Sequence, residues 1–358
     1  MKKITFIIST LNSGGAERVI SLISKSLSKY YNVSIVLLLN GQPRAYDISE
    51  KVKVVELDKY NGRFNKWFHI VQSLHNIIQK EDADIYISFC TIENIVSLMA
   101  HLGTKKKLII SERNAPKTEK KPLVIKVLQK ILYPLSDYVV FQTDTAKKLY
   151  KKKLQEKSVI IPNPITENLP EWCGDSNNSE SNYICAVGRL HPQKNYPLLF
   201  KAFKKFSMDY QNYQLLVFGS GNQEQELITL INSLNLQDKI KLMGYHKDVH
   251  DYLKKCSFFV MTSNYEGMPN ALMEAMAIGV PCISTDCPSG GPSKLIKNYE
   301  NGILINTNDE NDLITSMRYL ANNNEKAIYF GENAKKIKNE YSIDKITYEW
   351  RKVIEKFL

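Results

Sequence analysis

Two glutamates, Glu266 and Glu274, are separated by seven residues in the segment Thr262-Ser263-Asn264-Tyr265-Glu266-Gly267-Met268-Pro269-Asn270-Ala271-Leu272-Met273-Glu274. Pro269 between them suits the first position of a helix, where its missing N–H costs nothing. Glu266 then falls in the preceding loop and Glu274 about one turn into the helix, both near a terminus of positive partial charge. A diphosphate fits such a terminus, with one carboxylate on either side of it to grip hydroxyl groups. Glu274 is embedded in apolar neighbours, Ala271-Leu272-Met273 and Ala275-Met276-Ala277. A carboxylate there is costly to bury without partners, which argues against a merely solvated glutamate pair. Upstream, Gly188-Arg189-Leu190-His191-Pro192-Gln193-Lys194-Asn195 sets two cations five residues apart in a turn. Arg189 can fork onto two phosphate oxygens and Lys194 adds a point charge, although two surface cations would read the same way in isolation.

Glycine turns supply further backbone. Gly219-Ser220-Gly221 follows one apolar run, and Thr10-Leu11-Asn12-Ser13-Gly14-Gly15-Ala16-Glu17-Arg18 follows another. Gly14 and Gly15 let the backbone approach a ligand ahead of a helix N-terminus. Neither the Gly-x-Gly-x-x-Gly fingerprint nor a Walker lysine is present, so a plain strand-to-helix turn fits Gly14 and Gly15 about as well.

Positioning these groups falls to alternating short apolar runs and longer helical patterns. Strands are expected at 3–9, 33–39, 52–57, 84–89, 107–111, 138–142 and 159–161, with helices at 16–29, 67–79, 123–133 and 145–150. After Pro162-Asn163-Pro164 and a polar stretch to Asn182, strands are expected at 183–187, 213–218, 240–243, 258–261, 281–284 and 302–305. Helices are expected there at 197–208, 223–234, 249–255, 269–278 and 309–321. The near-continuous Ile/Val/Leu strands imply sheets covered on both faces. The fold class is therefore α/β, with two Rossmann-like domains facing a central cleft at the carboxyl ends of their strands. The expected organisation is an N-terminal domain at 1–165, a linker at 166–182, a second domain at 183–340, and a C-terminal helix at 341–358 with a path back to the first domain.

The chain has 358 residues and a formal net charge of +11, with 43% hydrophobic and 24% charged residues. That is ordinary globular usage and excludes disordered, collagen-like and coiled-coil classes. The apolar stretches are far shorter than the ~20 residues of a membrane span, and the opening lacks a signal-peptide pattern, so a cytoplasmic location is expected. The six cysteines form no Cys-x-x-Cys pair and do not cluster with histidines, which reads as reduced thiols. Residues 1–165 hold 27 basic and 14 acidic residues, a net of +13, while the remainder is near neutral at −2. An anionic partner is expected for the first half.

Taken in order, these motifs resemble the retaining glycosyltransferases of the GT-B fold, glycosyltransferase family 4. The resemblance spans nearly the whole chain: Gly14-Gly15, Ile161-Pro162-Asn163-Pro164, Gly188-Arg189 with Lys194, Gly219-Ser220-Gly221, Glu266 with Glu274, and Gly279-Val280-Pro281. The opening Phe6-Ile7-Ile8-Ser9-Thr10-Leu11-Asn12-Ser13-Gly14-Gly15 looks like bacterial transferases that add N-acetylgalactosamine or related sugars to undecaprenyl-diphosphate-linked oligosaccharides. The resemblance implies that Arg189 and Lys194 neutralise the leaving nucleotide diphosphate and that Glu266 contacts donor-sugar hydroxyls beside the reacting carbon. It assigns the ribose to Glu274. Backbone N–H groups of Gly267, Met268 and Asn270 would line the sugar and phosphate, Gly188 and Gly219 would bound the donor site, and Gly244 with Met243 and Tyr245 would hold the base. Gly14 and Gly15 would close over the phosphates. No metal and no cofactor are implied, because Arg, Lys and a helix dipole replace the metal clamp.

Two departures stand out. Arg113 in Ser111-Glu112-Arg113-Asn114 stands where many relatives carry a histidine, and Lys294 stands where a carboxylate is frequent. Glu112 and Arg113 are the acceptor-side candidates. Leu123, Val124, Val127, Leu128, Ile131 and Leu132 lie at helical spacing among Lys120, Lys121, Lys126 and Lys130, and Trp67, Phe68, Val71, Leu74 and Ile78 are flanked by Arg63 and Lys66. Basic amphipathic helices of this kind suit an anionic membrane surface, while core packing explains each one equally well. The expected activity is a retaining hexosyltransferase, moving a sugar from a UDP-sugar to a lipid-diphosphate-linked saccharide in polysaccharide or glycan biosynthesis. N-acetylgalactosamine is the first choice of sugar. The expected setting is peripheral, on the inner face of the plasma membrane, with no nucleic-acid partner. The alternatives are a nucleotide-sugar 2-epimerase of the same fold and a basic nucleic-acid-binding protein.

Overall fold

In the computed structural model the described residues are 1–12, 14–60, 66–80, 82–113, 122–173 and 182–358. Ser13, Arg63, Asn114, Lys120, Lys121 and the polar stretch 174–181 lie outside them. The chain divides into two compact units, Met1–Pro164 with Tyr341–Leu358, and Ile165–Glu340.

The first unit is built on seven strands: β1 (Lys3–Ile8), β2 (Asn32–Leu37), β3 (Val52–Glu56), β4 (Ile85–Phe89), β5 (Lys107–Ser111), β6 (Tyr138–Phe141) and β7 (Ser158–Ile160). They form one parallel sheet in the order β3-β2-β1-β4-β5-β6-β7. Ile4 of β1 sits between Val33 of β2 and Ile85 of β4, so the sheet grows in both directions from its first strand. The apolar runs do this because both faces are covered: Ile7, Tyr86, Ile110 and Phe141 are fully buried in one cluster with helix residues Leu74 and Ile78. The helix Ile343–Glu355 belongs to this unit, and its Trp350 stacks on Phe89 at 5.7 Å between centroids.

The second unit repeats the plan with β8 (Asn182–Val187), β9 (Tyr213–Phe218), β10 (Ile240–Gly244), β11 (Phe258–Met261), β12 (Cys282–Thr285) and β13 (Ile303–Ile305). Their order is β10-β9-β8-β11-β12-β13, again all parallel. Phe200, Phe203 and Phe206 from the helix Tyr196–Asp209 fill the core against Phe258 and Val217. Residues 165–173 belong to this unit: the Trp172 N–H donates to the Ile278 carbonyl and its indole Nε1 to the Cys256 carbonyl, both at 2.9 Å.

Three local readings change. The helix Thr91–Ala100 was not expected. Its Thr91, Ile92, Ile95 and Val96 are β-branched and it has no side-chain N-cap, so propensity hides a helix that packing imposes. Asn324–Ala334 is likewise a helix. Pro269 takes the N-cap of Asn270–Ile278 rather than the first helical position, because its ψ of 103° is still extended.

Candidate functional site

Open α/β sheets bind ligands where the strand order reverses, outside the carboxyl ends of the strands. In the second unit that point lies between β8 and β11, and the loops after these strands carry Gly188-Arg189 and Ser263–Glu266. The two loops are stitched together. The Asn264 N–H donates to the Gln193 carbonyl at 2.8 Å, Gln193 Nε2 donates to the Tyr265 carbonyl at 2.9 Å, and Thr262 Oγ1 donates to the Lys194 carbonyl at 3.0 Å. A short 3-10 helix, Pro192–Lys194, is capped by the His191 ring, which accepts from the Gln193 N–H.

This frame brings Lys194 onto Glu266. The ammonium lies 2.5 Å from Glu266 Oε1, and Ser263 Oγ donates to the same oxygen at 2.8 Å. Glu266 is 7% exposed, so the ion pair is largely out of water, where such contacts are stronger. The charge of Glu266 also reaches Cys287, whose thiol is pushed up to about 12, chiefly by burial and secondly by that carboxylate. Cys287 is therefore a protonated, unreactive thiol. Arg189 is exposed beside the turn, with Nη2 at 3.4 Å from Gln193 Oε1.

Glycines bring the neighbouring loop close. Gly188 donates to the Phe218 carbonyl at 2.9 Å and Gly219 donates to the Gly244 carbonyl at 2.7 Å. Gly219 has φ of +137°, and a Cβ there would run into the Gly188 carbonyl oxygen, so only glycine fits. Tyr245 is exposed next to Gly244, and Phe218, His246 and Tyr252 pack together behind it. Gly267 and the buried Met268 lead to Asn270, the start of the helix. Glu274 is 4% exposed and meets His250 Nε2 at 3.0 Å. Cations and carboxylates thus sit on the loops and helix after β8 and β11, a setting for an anionic ligand bearing hydroxyl groups.

The first unit arranges its candidates differently. Gly14 caps the helix Gly15–Leu27 without a side-chain bond. Ser9 Oγ, just past β1, donates to Glu93 at 2.5 Å, and burial raises the Glu93 carboxyl. Glu112 is 2% exposed, and its carboxylate receives Thr91 Oγ1 at 2.9 Å, Gln129 Nε2 at 3.1 Å and the Tyr133 hydroxyl at 2.6 Å. It anchors the helix Leu123–Leu132, which carries Gln129, to the sheet. Arg113 is 6% exposed, with its guanidinium 4.0 Å from the Phe89 ring centroid and Nη1 donating to Asn163 at 2.8 Å. Its Nε and Nη2 are buried without a hydrogen-bond partner, and burial lowers its pKa to about 9. Lys294 lies in the short helix Gly291–Leu295 and is exposed.

The expected apolar stripes divide. In the helix Lys66–Lys80, Leu74 and Ile78 are buried while Trp67 and Phe68 are exposed. In Leu123–Leu132, Leu132 turns inward, but Leu123, Val124, Val127 and Ile131 are exposed, as are Lys126 and Lys130. No described helix is long and apolar enough to cross a membrane. Among the described residues, no three His, Cys, Asp or Glu side chains are grouped to hold a metal ion.

Sequence reasoning brought out Arg189, Lys194, Glu266 and Glu274 but missed Ser263, Gln193 and His250. His250 is 24 residues from its partner, and no spacing rule connects them. The available signal was a polar aromatic ring in the helix that follows the Gly244 turn.

Comparison with known proteins adds three findings. Residues 174–337 match the family model described as glycosyl transferases group 1. The chain is 30% identical over 362 residues to a Campylobacter jejuni enzyme, covering 99% of this chain and 98% of the relative. That enzyme is named as an alpha-1,4-N-acetyl-D-galactosaminyltransferase acting on a GalNAc-containing, diNAcBac-diphospho-undecaprenol-linked saccharide. In structure the chain is similar to a sucrose-phosphate synthase from Thermosynechococcus elongatus, with a TM-score of 0.87 at 16% identity over 99% of both chains. It is also similar to Anabaena HepE in complex with UDP-glucose, with a TM-score of 0.83 at 17% identity over 99% of this chain and 100% of the other.

Proposed function

Because this chain belongs to the group 1 glycosyl transferases and has the GT-B fold, we propose that it moves a hexose from a UDP-sugar to a lipid-diphosphate-linked saccharide, with retention of configuration. The enzyme is a hexosyltransferase. N-acetylgalactosamine is the donor sugar proposed first, on the name of the Campylobacter jejuni relative. The UDP nucleotide is supported by the complex that HepE forms with UDP-glucose.

The observation that carries this reading is the largely buried Lys194–Glu266 pair at the strand-order reversal, in the loop that leads into the helix Asn270–Ile278. In the proposed reaction the acceptor hydroxyl oxygen bonds to the anomeric carbon while the carbon–phosphate oxygen bond breaks. The acceptor proton passes to the leaving phosphate. Charge grows on the diphosphate as it leaves, and Arg189, Lys194 and the helix terminus stabilise it there. This clamp supplies the positive charge that a divalent ion supplies in metal-dependent transferases. Glu266 meets donor-sugar hydroxyls, and Glu274 meets the ribose. Gly267, Met268 and Asn270 line the sugar and phosphate, Gly188 and Gly219 bound the site, and Gly244 faces the base. In the first unit, Gly14 and Gly15 serve the phosphates, Arg113 serves the acceptor side, and Glu112 serves it by anchoring its helix.

The outward face of Leu123–Leu132, with Leu123, Val124, Val127 and Ile131 between exposed Lys126 and Lys130, supports peripheral docking on an anionic bilayer from the cytoplasmic side. The product then belongs to surface glycan synthesis.

The test is binding of UDP-, GDP- and ADP-sugars in the presence of a chelator, wild type against Glu274→Ala. The expected result is preference for one UDP-sugar, lost in the variant. Failure of the wild type to bind any nucleotide sugar, with or without vesicles, overturns the proposal. Epimer formed from free UDP-N-acetylglucosamine without an acceptor would replace it with the epimerase alternative.

A further inference from the structure

We infer that His250 is a positioning residue for the nucleoside end of the donor site, holding the Glu274 carboxylate where it accepts hydrogen bonds from the paired hydroxyls of a ribose. This rests on the nucleotide-sugar reading above. His250 stands in the first turn of the helix Val249–Leu253, which follows the Gly244 turn closely in sequence. Its Nε2 lies 3.0 Å from Glu274 Oε2, with the imidazole 23% exposed and the glutamate side chain 6%. Met273 and Ala275 on either side of Glu274 are buried. The glutamate therefore emerges from an apolar helix, and the His250 contact is one of the bonds that fix its plane.

The Nε2–H of His250 is suited to that task, and the bond selects the ring tautomer. A carboxylate offers about four acceptor directions, so a bond to one oxygen orients the group without exhausting it. The same short helix carries Tyr252, which packs on Phe218 at 4.9 Å and His246 at 5.5 Å between centroids. His250 thus ties the backing of the base-side turn to the ribose-side carboxylate. Asp251, the acidic neighbour on this helix, is paired with Lys254 at 2.5 Å. Glu266 is oriented by Lys194 and Ser263. The two carboxylates of the motif consequently have separate supports, and the ribose contact can be loosened alone.

Discrimination between UDP and 2′-deoxy-UDP reads this directly, measured by calorimetric titration of wild type, His250→Phe and His250→Gln. The wild type is expected to prefer UDP by about tenfold, the size of one good polar contact. In His250→Phe, UDP affinity falls about tenfold while 2′-deoxy-UDP affinity stays within twofold. His250→Gln, which keeps an amide donor, recovers most of the preference. Equal weakening of both nucleotides in His250→Phe, no change in either, or no recovery in His250→Gln each overturns the inference. Absence of UDP binding by the wild type overturns the parent reading as well, a result distinct from an altered ratio.

Discussion

The two sheets reverse their strand order at matching places, between β1 and β4 and between β8 and β11, but they equip those places differently. At the second reversal a cation and a carboxylate face each other, Lys194 on Glu266, with the exposed guanidinium of Arg189 alongside. Beside the first reversal, charge is turned inward. Glu112 takes hydrogen bonds from Thr91, Gln129 and Tyr133, and Arg113 lies over Phe89 with two nitrogens buried and unpartnered. The contrast teaches that similar sheets can serve different ends. One holds charges at its rim, where the proposed reaction places a ligand whose own charge changes. The other uses charges to fix a helix whose outer face is apolar and basic. Unpartnered buried donors such as those of Arg113 cost about 1–3 kcal/mol each.

The largest effect expected from breaking this contrast is at Lys194. Lys194→Met removes the clamp and leaves Glu266 buried without its counter-charge. Transfer should fall about 10²- to 10³-fold, the usual size for one preorganised transition-state contact. Steady-state kinetics on the donor would check it, and a loss below fivefold would detach the ion pair from catalysis.

Glu112 should behave in the opposite manner. Glu112→Gln keeps the size but replaces a carboxylate acceptor by an amide whose NH2 faces donors. A loss of about 2 kcal/mol is expected, lowering the melting midpoint by about 4–8 °C. UDP affinity should stay within twofold. A variant that melts normally yet loses UDP binding would place Glu112 at the donor instead of in the scaffold.

A smaller, pH-dependent effect is expected at His101. Its pKa is lowered from 6.5 to about 4, chiefly by burial, with Nδ1 against the Ser97 carbonyl at 2.8 Å. The fold prefers the neutral ring, so this group's contribution is complete above pH 6.5 and is lost as pH falls towards 4, up to about 3 kcal/mol. Melting curves of wild type and His101→Gln should diverge over that window, the wild type losing more stability on acidification. Parallel curves would mean that His101 is wet.

How far the sequence reached follows the same contrast. The strands were legible because both-face burial demands short, mostly apolar runs, as in β6 (Tyr138–Phe141) and β11 (Phe258–Met261). Glu266 and Glu274 were legible because a proline and a helix pattern fix their spacing, and Lys194 because it follows a strand end. Thr91–Ala100 was hidden by its β-branched residues. The inward turn of Glu112 was hidden because Gln129 and Tyr133 reach it through packing of a helix 17 and 21 residues away. His250 was hidden for a similar reason, since its bond to Glu274 crosses two loops and the strand β11, a separation that local pattern does not register.

The most direct measurement of the central claim is transfer itself. Labelled UDP-N-acetylgalactosamine and other UDP-hexoses would be offered with an undecaprenyl-diphosphate-linked saccharide in anionic vesicles, with a chelator present, to wild type and Glu266→Gln. The account predicts one labelled, α-linked sugar on the lipid-linked product from a single preferred donor, reduced at least a hundredfold in Glu266→Gln. Equal product from the variant, or label that never leaves the nucleotide while the wild type binds it, would contradict it.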